Sequence, residues 1–188
     1  DRSIEYTDFN KPYLVDKGTD RSIFTYETDR KLMRRVDVGN VNRTTFYVSA
    51  IWIGLRRKQV YSQVLLNGNV IVKQEDDGEK EDFYLHKDNM GSVIAMSDPN
   101  GGIVERLHYD AWGKRLDYSF ATNARKDIRT AGYTGHEQLE QFDLIHMGGR
   151  IYDPVLARFL NPDPVVQDFL NSQNFNRYTY VLNNPNTF

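Results

Sequence analysis

The sequence predicts an all-β fold: antiparallel β-hairpin repeats forming part of a curled or spiralling sheet. Three observations carry this. Apolar and polar residues alternate over short stretches that end in acidic or Gly-containing turns, the period-2 signature of half-buried strands. Aromatics make up 13 % of the chain, with 12 Tyr and 10 Phe, while apolar residues reach only 39 %. Large rings with a polar end suit sheets that keep one wet face. Helical periodicity is scarce, and its best stretch is 165–171, where Pro164 pre-sets a first helical turn.

Taken in chain order, the elements follow from that pattern. Residues 1–6 (DRSIEY) read as a strand. Residues 23–36 (IFTYETDRKLMRRV) and 104–116 (VERLHYDAWGKRL) share one design: an alternating strand ending in Tyr, an acidic turn, and a return strand through basic and apolar residues. Residues 44–53 and 63–72 read as further strands, the second hinged on Asn67-Gly68, whose residues tolerate the positive φ of a type I′ turn. The clearest hairpin lies between Tyr84 and Lys114, where 92–96 runs out, Asp98-Pro-Asn-Gly-Gly102 turns and 103–109 returns. Residues 122–130 are polar and read as a loop, and Gly148-Gly149 permits a sharp turn ahead of Arg150. The chain thus divides into hairpin repeats over 1–121, a connecting loop over 122–134 and a plug-like terminal segment over 135–188.

Composition narrows the function classes. Lys plus Arg number 24 against 26 Asp plus Glu, a net charge of -2 with both signs mixed, so no global field draws nucleic acid or anionic lipid. The basic runs Arg34-Arg35 and Arg56-Arg57-Lys58 lack an aromatic platform for bases and read as solvated strand faces. Without Cys there are no disulfides and no thiolate metal sites. The sequence has no run of about 18 apolar residues for a membrane span and no leader-like opening. Both ends read as cuts through a longer polypeptide.

No cofactor or metal is expected. The acidic run 76–82 lacks the alternating oxygen ligands and distal Glu of a calcium loop. His136-Glu-Gln-Leu-Glu140 has a Glu where a zinc helix needs its second His, and its neighbours look like hairpin. His146, beside Ile145 and Met147, reads as a packed strand residue. Neither a Ser/His/Asp or Cys/His grouping nor a Gly-rich phosphate loop is present.

The densest stretch is RIYDPVLARFLNPDP over 150–164, followed by NRYTYVLNNP over 176–185, which sets aromatics, carboxylates and prolines at punctuating positions. On these residues, and on 84–93 and 109–115, the chain resembles the core of Rhs/YD-repeat proteins, the β-shells of polymorphic toxins and of the C subunit of insecticidal Tc toxins. The likeness is close over about the last hundred residues. Before that only the repeat style agrees, with Tyr26-Glu27 replacing the Tyr-Asp pair that Tyr109-Asp110 keeps. The resemblance implies a shell enclosing a toxic payload, and a bacterial protein that is exported, extracellular or held at the cell surface. It implies as partners the remainder of the shell, the C-terminal payload, and an immunity or delivery protein.

In that family the core often ends as a self-cleaving aspartyl protease that releases the payload. Matched residue by residue, Arg150 falls on the family's Arg and Asp163 on its first catalytic Asp. The second Asp is expected just past Phe188, so the catalytic set here is incomplete. The family often has a Gly where Val166 stands. Two carboxylates sharing one proton cannot both ionise, so one stays acid while the other activates water; a single carboxylate cannot divide those roles. The plainer reading is that Asp163 closes a turn and Arg150 pairs with Asp153 or a carbonyl. An alternative function is a cell-surface or carbohydrate-binding β-module without proteolysis, holding its ligand through Tyr109 and Trp112. On either reading a few repeats alone expose edges and apolar patches, and self-association is expected.

Overall fold

Among the described residues seven turns share one hydrogen-bond rule; one, at Gly132, leads into the terminal segment, with its N–H on the His136 carbonyl and Gly135 left-handed, and the other six set the course of the chain before it. In the computed structural model, which describes residues 2–40, 42–48, 51–56, 59–75, 77–116, 131–166 and 170–185, these six turns begin at Thr7, Glu27, Glu75, Asp88, Asp98 and Asp110. In each, the first residue's N–H donates to the fifth residue's carbonyl, and its own carbonyl accepts from the fourth residue's N–H. The fourth residue is left-handed: Asn10, Arg30, Gly78, Gly91, Gly101 and Gly113 all have positive φ. This is a hairpin turn closed by a one-residue bulge, in which the left-handed position favours Gly. Where Asp leads, its Oδ1 accepts the N–H groups of the third and fifth residues, as Asp110 does from Trp112 and Lys114, both at 2.9 Å. Where Glu leads, the third residue caps instead, as Asp29 accepts from the Lys31 N–H at 3.0 Å and Asp77 from the Glu79 N–H at 3.1 Å. A short carboxylate reaches its neighbours' N–H groups in the turn, which explains why an Asp stands at the first or the third position of each of these five turns.

Between such turns the chain lays down eleven strands: β1 (Arg2–Tyr6), β2 (Pro12–Lys17), β3 (Asp20–Tyr26), β4 (Leu32–Val38), β5 (Arg43–Val48), β6 (Ile51–Arg56), β7 (Gln59–Leu66), β8 (Val70–Glu75), β9 (Lys80–Lys87), β10 (Val93–Ser97) and β11 (Ile103–Arg106). They form one antiparallel sheet whose strand order is the chain order. Residues 44–53 resolve into two strands, β5 and β6, which pair from Val48↔Ile51 to Thr44↔Leu55. No Gly, Pro, Asn or Asp marks that break. The turn at Asn67-Gly68 has both residues at positive φ, with the Asn69 N–H donating to the Leu66 carbonyl. A small ribbon follows, β12 (His108–Tyr109) against β13 (Arg115–Leu116).

The terminal segment folds as a second, four-stranded antiparallel sheet: β14 (Glu137–Leu139), β15 (Leu144–Met147), β16 (Arg150–Asp153) and β17 (Arg158–Phe159). Among the described residues there is no α-helix; only short 3-10 turns occur, at Tyr133–Gly135, Glu140–Phe142, Ser172–Phe175 and Val181–Asn183. The helix expected over 165–171 falls partly on 167–169, and the loop expected over 122–130 wholly on 117–130; both stretches lie outside the described residues.

The large sheet is a wall and the terminal segment a cap set against it. Period-2 alternation puts Leu144 and Ile151 on one face of the cap, and Ile145 and Tyr152 on the other; all four are buried. The first face packs with Leu139 and Phe142 against Val15 and Phe24 of β2 and β3. The second packs with Tyr133 and Phe159 toward Met90, Tyr109 and Tyr180. A third cluster, Ile71, Phe83, Leu85, Val93, Met96 and Leu107, holds β8 to β11 together. Strands from both ends of the wall therefore reach the cap, which requires the sheet to curl.

Charges reinforce the seam between wall and cap. Arg35 is 3 % exposed and bonds Asp37 at 2.6 Å on its own strand and Glu137 of the cap at 2.7 Å. The Tyr47 hydroxyl donates to the same Glu137 at 2.9 Å, and Ser22 donates to Asp37 at 2.5 Å. Buried charges survive only when paired and hydrogen-bonded, and this set is. Arg2 binds Asp153, Lys17 binds Asp143 at 3.0 Å and Arg115 binds Glu140 at 2.8 Å, all from wall or ribbon to cap.

Candidate functional site

Gly148 and Gly149 release the chain into β16 at Arg150. Gly148 has φ +68, and the Gly149 N–H donates to the Met147 carbonyl at 2.8 Å. After β16, Asp153 accepts the N–H groups of Val155 and Leu156 at 2.9 and 3.1 Å and turns the chain into β17. Residues Asn161-Pro162-Asp163-Pro164 then run back past the start of β16. The result brings Arg150 Nη1 to 3.0 Å from Asp163 Oδ2. Beneath it the guanidinium lies 3.6 Å from the centre of the Phe159 ring, a cation–π contact.

Asp163 is fixed from three sides. Its Oδ1 accepts the Val165 N–H at 3.0 Å, closing a turn over Pro164. Its own N–H donates to the Arg177 carbonyl at 2.8 Å, and the Arg177 Nε donates back to its carbonyl at 2.5 Å. About a quarter of each of the Arg150 and Asp163 side chains is exposed. Burial pulls the Arg150 pKa below its ordinary value, and the nearby Asp163 carboxylate opposes that pull. Burial also lowers the imidazole of His136, which lines the same space.

A cavity of about 410 Å³ opens beside the pair, lined by Arg150, Phe159 and Asp163 on the motif side and by Asn176, Arg177 and Tyr180 on the returning segment. It is large enough for a few residues of extended peptide and offers both donors and a carboxylate. It holds one carboxylate facing one guanidinium, which is half of a proton-sharing pair. Among the described residues, no group of three or more His, Asp or Glu could hold a metal ion.

Asp163 thus closes its turn and also takes Arg150 as partner. Asp153 is not the partner of Arg150, because Arg2 occupies it. Tyr109 and Trp112 do not share this cleft. Both are half-buried at the seam of ribbon and cap. The Tyr109 ring lies 5.9 Å from Tyr133, and the Trp112 carbonyl accepts from the Tyr152 hydroxyl at 2.9 Å. Sequence reasoning did not single out Phe159, Arg177 or Tyr180. All three sit inside the stretches 150–164 and 176–185, but their roles depend on a chain reversal between those stretches that spacing does not encode.

Comparison with known proteins adds five findings. A family model described as Teneurin YD-shell matches residues 17–186. The tRNA3(Ser)-specific nuclease WapA of Bacillus spizizenii is 28 % identical over 182 residues, covering 94 % of this chain and 8 % of that protein. Human Teneurin-4 is 31 % identical over 123 residues, covering 64 % of this chain and 4 % of its own. Among solved structures, TcdB2-TccC3 without its hypervariable C-terminal region superposes with a TM-score of 0.82 at 20 % identity, over 100 % of this chain and 10 % of that one. The Photorhabdus luminescens Tc holotoxin pore gives a TM-score of 0.80 at 20 % identity, over the same shares. The chain therefore spans a tenth or less of the length of each.

Proposed function

The chain belongs to the teneurin YD-shell family, and on that premise we propose that it is a wall-and-cap segment of a bacterial Rhs-type toxin shell. In this reading the sheet of β1 to β11 is one arc of an enclosure, and the terminal segment seals it. The enclosed cargo is a toxic domain carried in the remainder of a longer polypeptide, shielded from the producing cell until an export or delivery partner takes the protein outside. The observation that carries the reading is the cap itself: its central strands are buried on both faces, and ion pairs tie β14 and β16 to β4 and β1 of the wall.

The cleft at Arg150 and Asp163 then serves self-cleavage. Asp163 supplies one carboxylate, and a second Asp, contributed by chain that follows these residues, enters the cavity beside it. Once the two approach, mutual repulsion leaves one proton between them, so that one acts as acid and the other as base toward water. Arg150 places a positive charge next to the pair, and Arg177 holds the backbone on which Asp163 rides. The test is expression of the chain extended through the second Asp-Pro pair, with and without Asp163→Asn. A cut on a denaturing gel in the parent and none in the variant supports the reading. Uncut product in both removes self-cleavage and leaves the enclosure.

A further inference from the structure

The first hairpin turn of the wall, far from the motif in sequence, rests against the Arg150–Asp163 site. Asn10 occupies its left-handed position, at φ +61, where three of the Asp-led turns and the Glu75 turn carry Gly. Asn is one of the few side chains that tolerate this conformation, so its presence costs the turn little. It also makes contacts that Gly cannot. Asn10 Nδ2 donates to the Pro162 carbonyl at 3.3 Å, immediately before Asp163.

The same turn grips the motif a second time. The Asn10 carbonyl accepts from Asn161 Nδ2 at 3.1 Å. Asn161 is 2 % exposed, and its Oδ1 accepts the Ile151 N–H at 3.1 Å, one residue past Arg150. Asn161 therefore bridges the backbone of Arg150's strand to the wall, and Asn10 fixes the peptide that leads into Asp163. Nearby, the Lys11 stem lies so close to Gly149 that an added Cβ there would stand 3.1 Å from Lys11 Cε. Both approaches to the ion pair, the turn before Arg150 and the loop before Asp163, abut one hairpin tip.

We propose that Asn10 is a positioning residue for the Arg150–Asp163 pair, acting through Pro162 and Asn161, so that the site is assembled only when the wall's first hairpin is seated. The catalytic half of this inference rests on the self-cleavage reading; the geometric half does not. A pair whose orientation depends on that hairpin is active only while the hairpin is seated on the cap, because a displacement of about 1 Å at reacting groups costs up to about a hundredfold in rate. Cleavage is thereby coupled to docking of the wall's first hairpin on the cap.

The experiment separates the two halves. Asn10→Gly keeps the turn, since Gly fits the left-handed position, and deletes only the amide. Asn10→Asp also keeps the turn but sets a carboxylate oxygen against the Pro162 carbonyl. The control is the reverse exchange at a remote turn, Gly101→Asn. In the 188-residue chain, the Arg150 guanidinium resonance, assigned through Arg150→Lys, is expected to move in both Asn10 variants and to stay in place in the control. In the extended chain, cleavage per folded molecule is expected to slow about tenfold in Asn10→Gly and further in Asn10→Asp, with the control at the parent rate. A parent-like resonance and rate in both Asn10 variants overturns the proposal. If the extended parent is never cut, self-cleavage fails, and the Arg150 resonance still decides whether Asn10 positions the pair.

Discussion

Arg35 and Glu137, 102 residues apart in the chain, meet at 2.7 Å, Nη1 to Oε1, and so join the fourth strand of the wall to the first strand of the cap. The guanidinium is almost wholly buried, and its other bond goes to Asp37 at 2.6 Å. Removing one member of such a set leaves buried charge uncompensated. Arg35→Met is expected to cost about 3 kcal/mol in urea denaturation, at the lower end for a broken buried pair because Arg43 and Tyr47 still serve the carboxylates. The double change Arg35→Met with Glu137→Met should recover part of that loss. A loss in the double variant equal to the sum of the two single losses would show that the contact carries no coupling.

Two glycines with nearly the same backbone separate strain from collision. Gly101 has φ +84 and open space around a would-be Cβ, whereas Gly113 has φ +86 and the Tyr133 ring 2.5 Å away. Gly101→Ala is expected to cost about 1–2 kcal/mol, the penalty for an L side chain in the left-handed region. Gly113→Ala should cost about 1–3 kcal/mol more, the usual toll of overpacking. Similar midpoints for the two would mean that the Tyr133 ring yields freely.

The Asp that opens a repeat turn is worth about two modest hydrogen bonds. Asp88 Oδ1 accepts from the Met90 and Ser92 N–H groups at 2.9 and 2.8 Å. Asp88→Ala is expected to destabilise by about 1–2 kcal/mol, with faster hydrogen exchange at both amides. Asp88→Asn, which keeps an acceptor oxygen, should restore most of it. Unchanged exchange in Asp88→Ala would show that water replaces the cap at no cost.

Stability should fall on mild acidification in a way traceable to His136. Burial lowers its pKa from the ordinary 6.5, so the folded chain binds this proton less readily than the unfolded one. Its contribution is full above pH 6.5 and declines as pH drops through that value toward the folded pKa. Urea midpoints at pH 7.5 and 5.5 should differ less in His136→Gln than in the parent. An identical pH dependence in the two would assign the loss to other groups.

Apart from the rest of a shell, the chain should self-associate. Among the described residues, strands β1 and β11 each have one edge without a partner strand in the sheet. On the outer surface, Leu66, Val70 and Tyr84 stand opposite one another across β7, β8 and β9, with Leu66 and Tyr84 nearly half exposed. Free edges and apolar rows of this kind promote pairing between copies. Sedimentation velocity should show concentration-dependent growth, and a single monomer boundary without binding of an apolar-surface dye would contradict it.

Much of the wall was legible because its information is local. Alternation gives strands, and the Asp-x-x-Gly spacing of 88–91, 98–101 and 110–113 gives turns, since each Asp caps within four residues of itself. The first turn escaped notice because Thr7 and Asn10 fill the same roles as Asp and Gly under different names. The break between Val48 and Ile51 carried no Gly, Pro, Asn or Asp. At the site, Arg150 and Asp163 were named from a motif, and they do meet. Their surroundings were unreadable because Arg177, Asn10 and the wall contacts of the cap depend on tertiary return over 14 to 152 residues. No periodicity records such a return.

Strand order that follows chain order has an evolutionary corollary. Because each strand lies beside its predecessor, inserting or deleting two at a time leaves the polypeptide heading the same way when it arrives at the lid. A lone extra strand would send it in from the opposite rim. Sheets of this design are therefore free to change width in steps of one hairpin, an increment that gene duplication can supply without redesigning the cap.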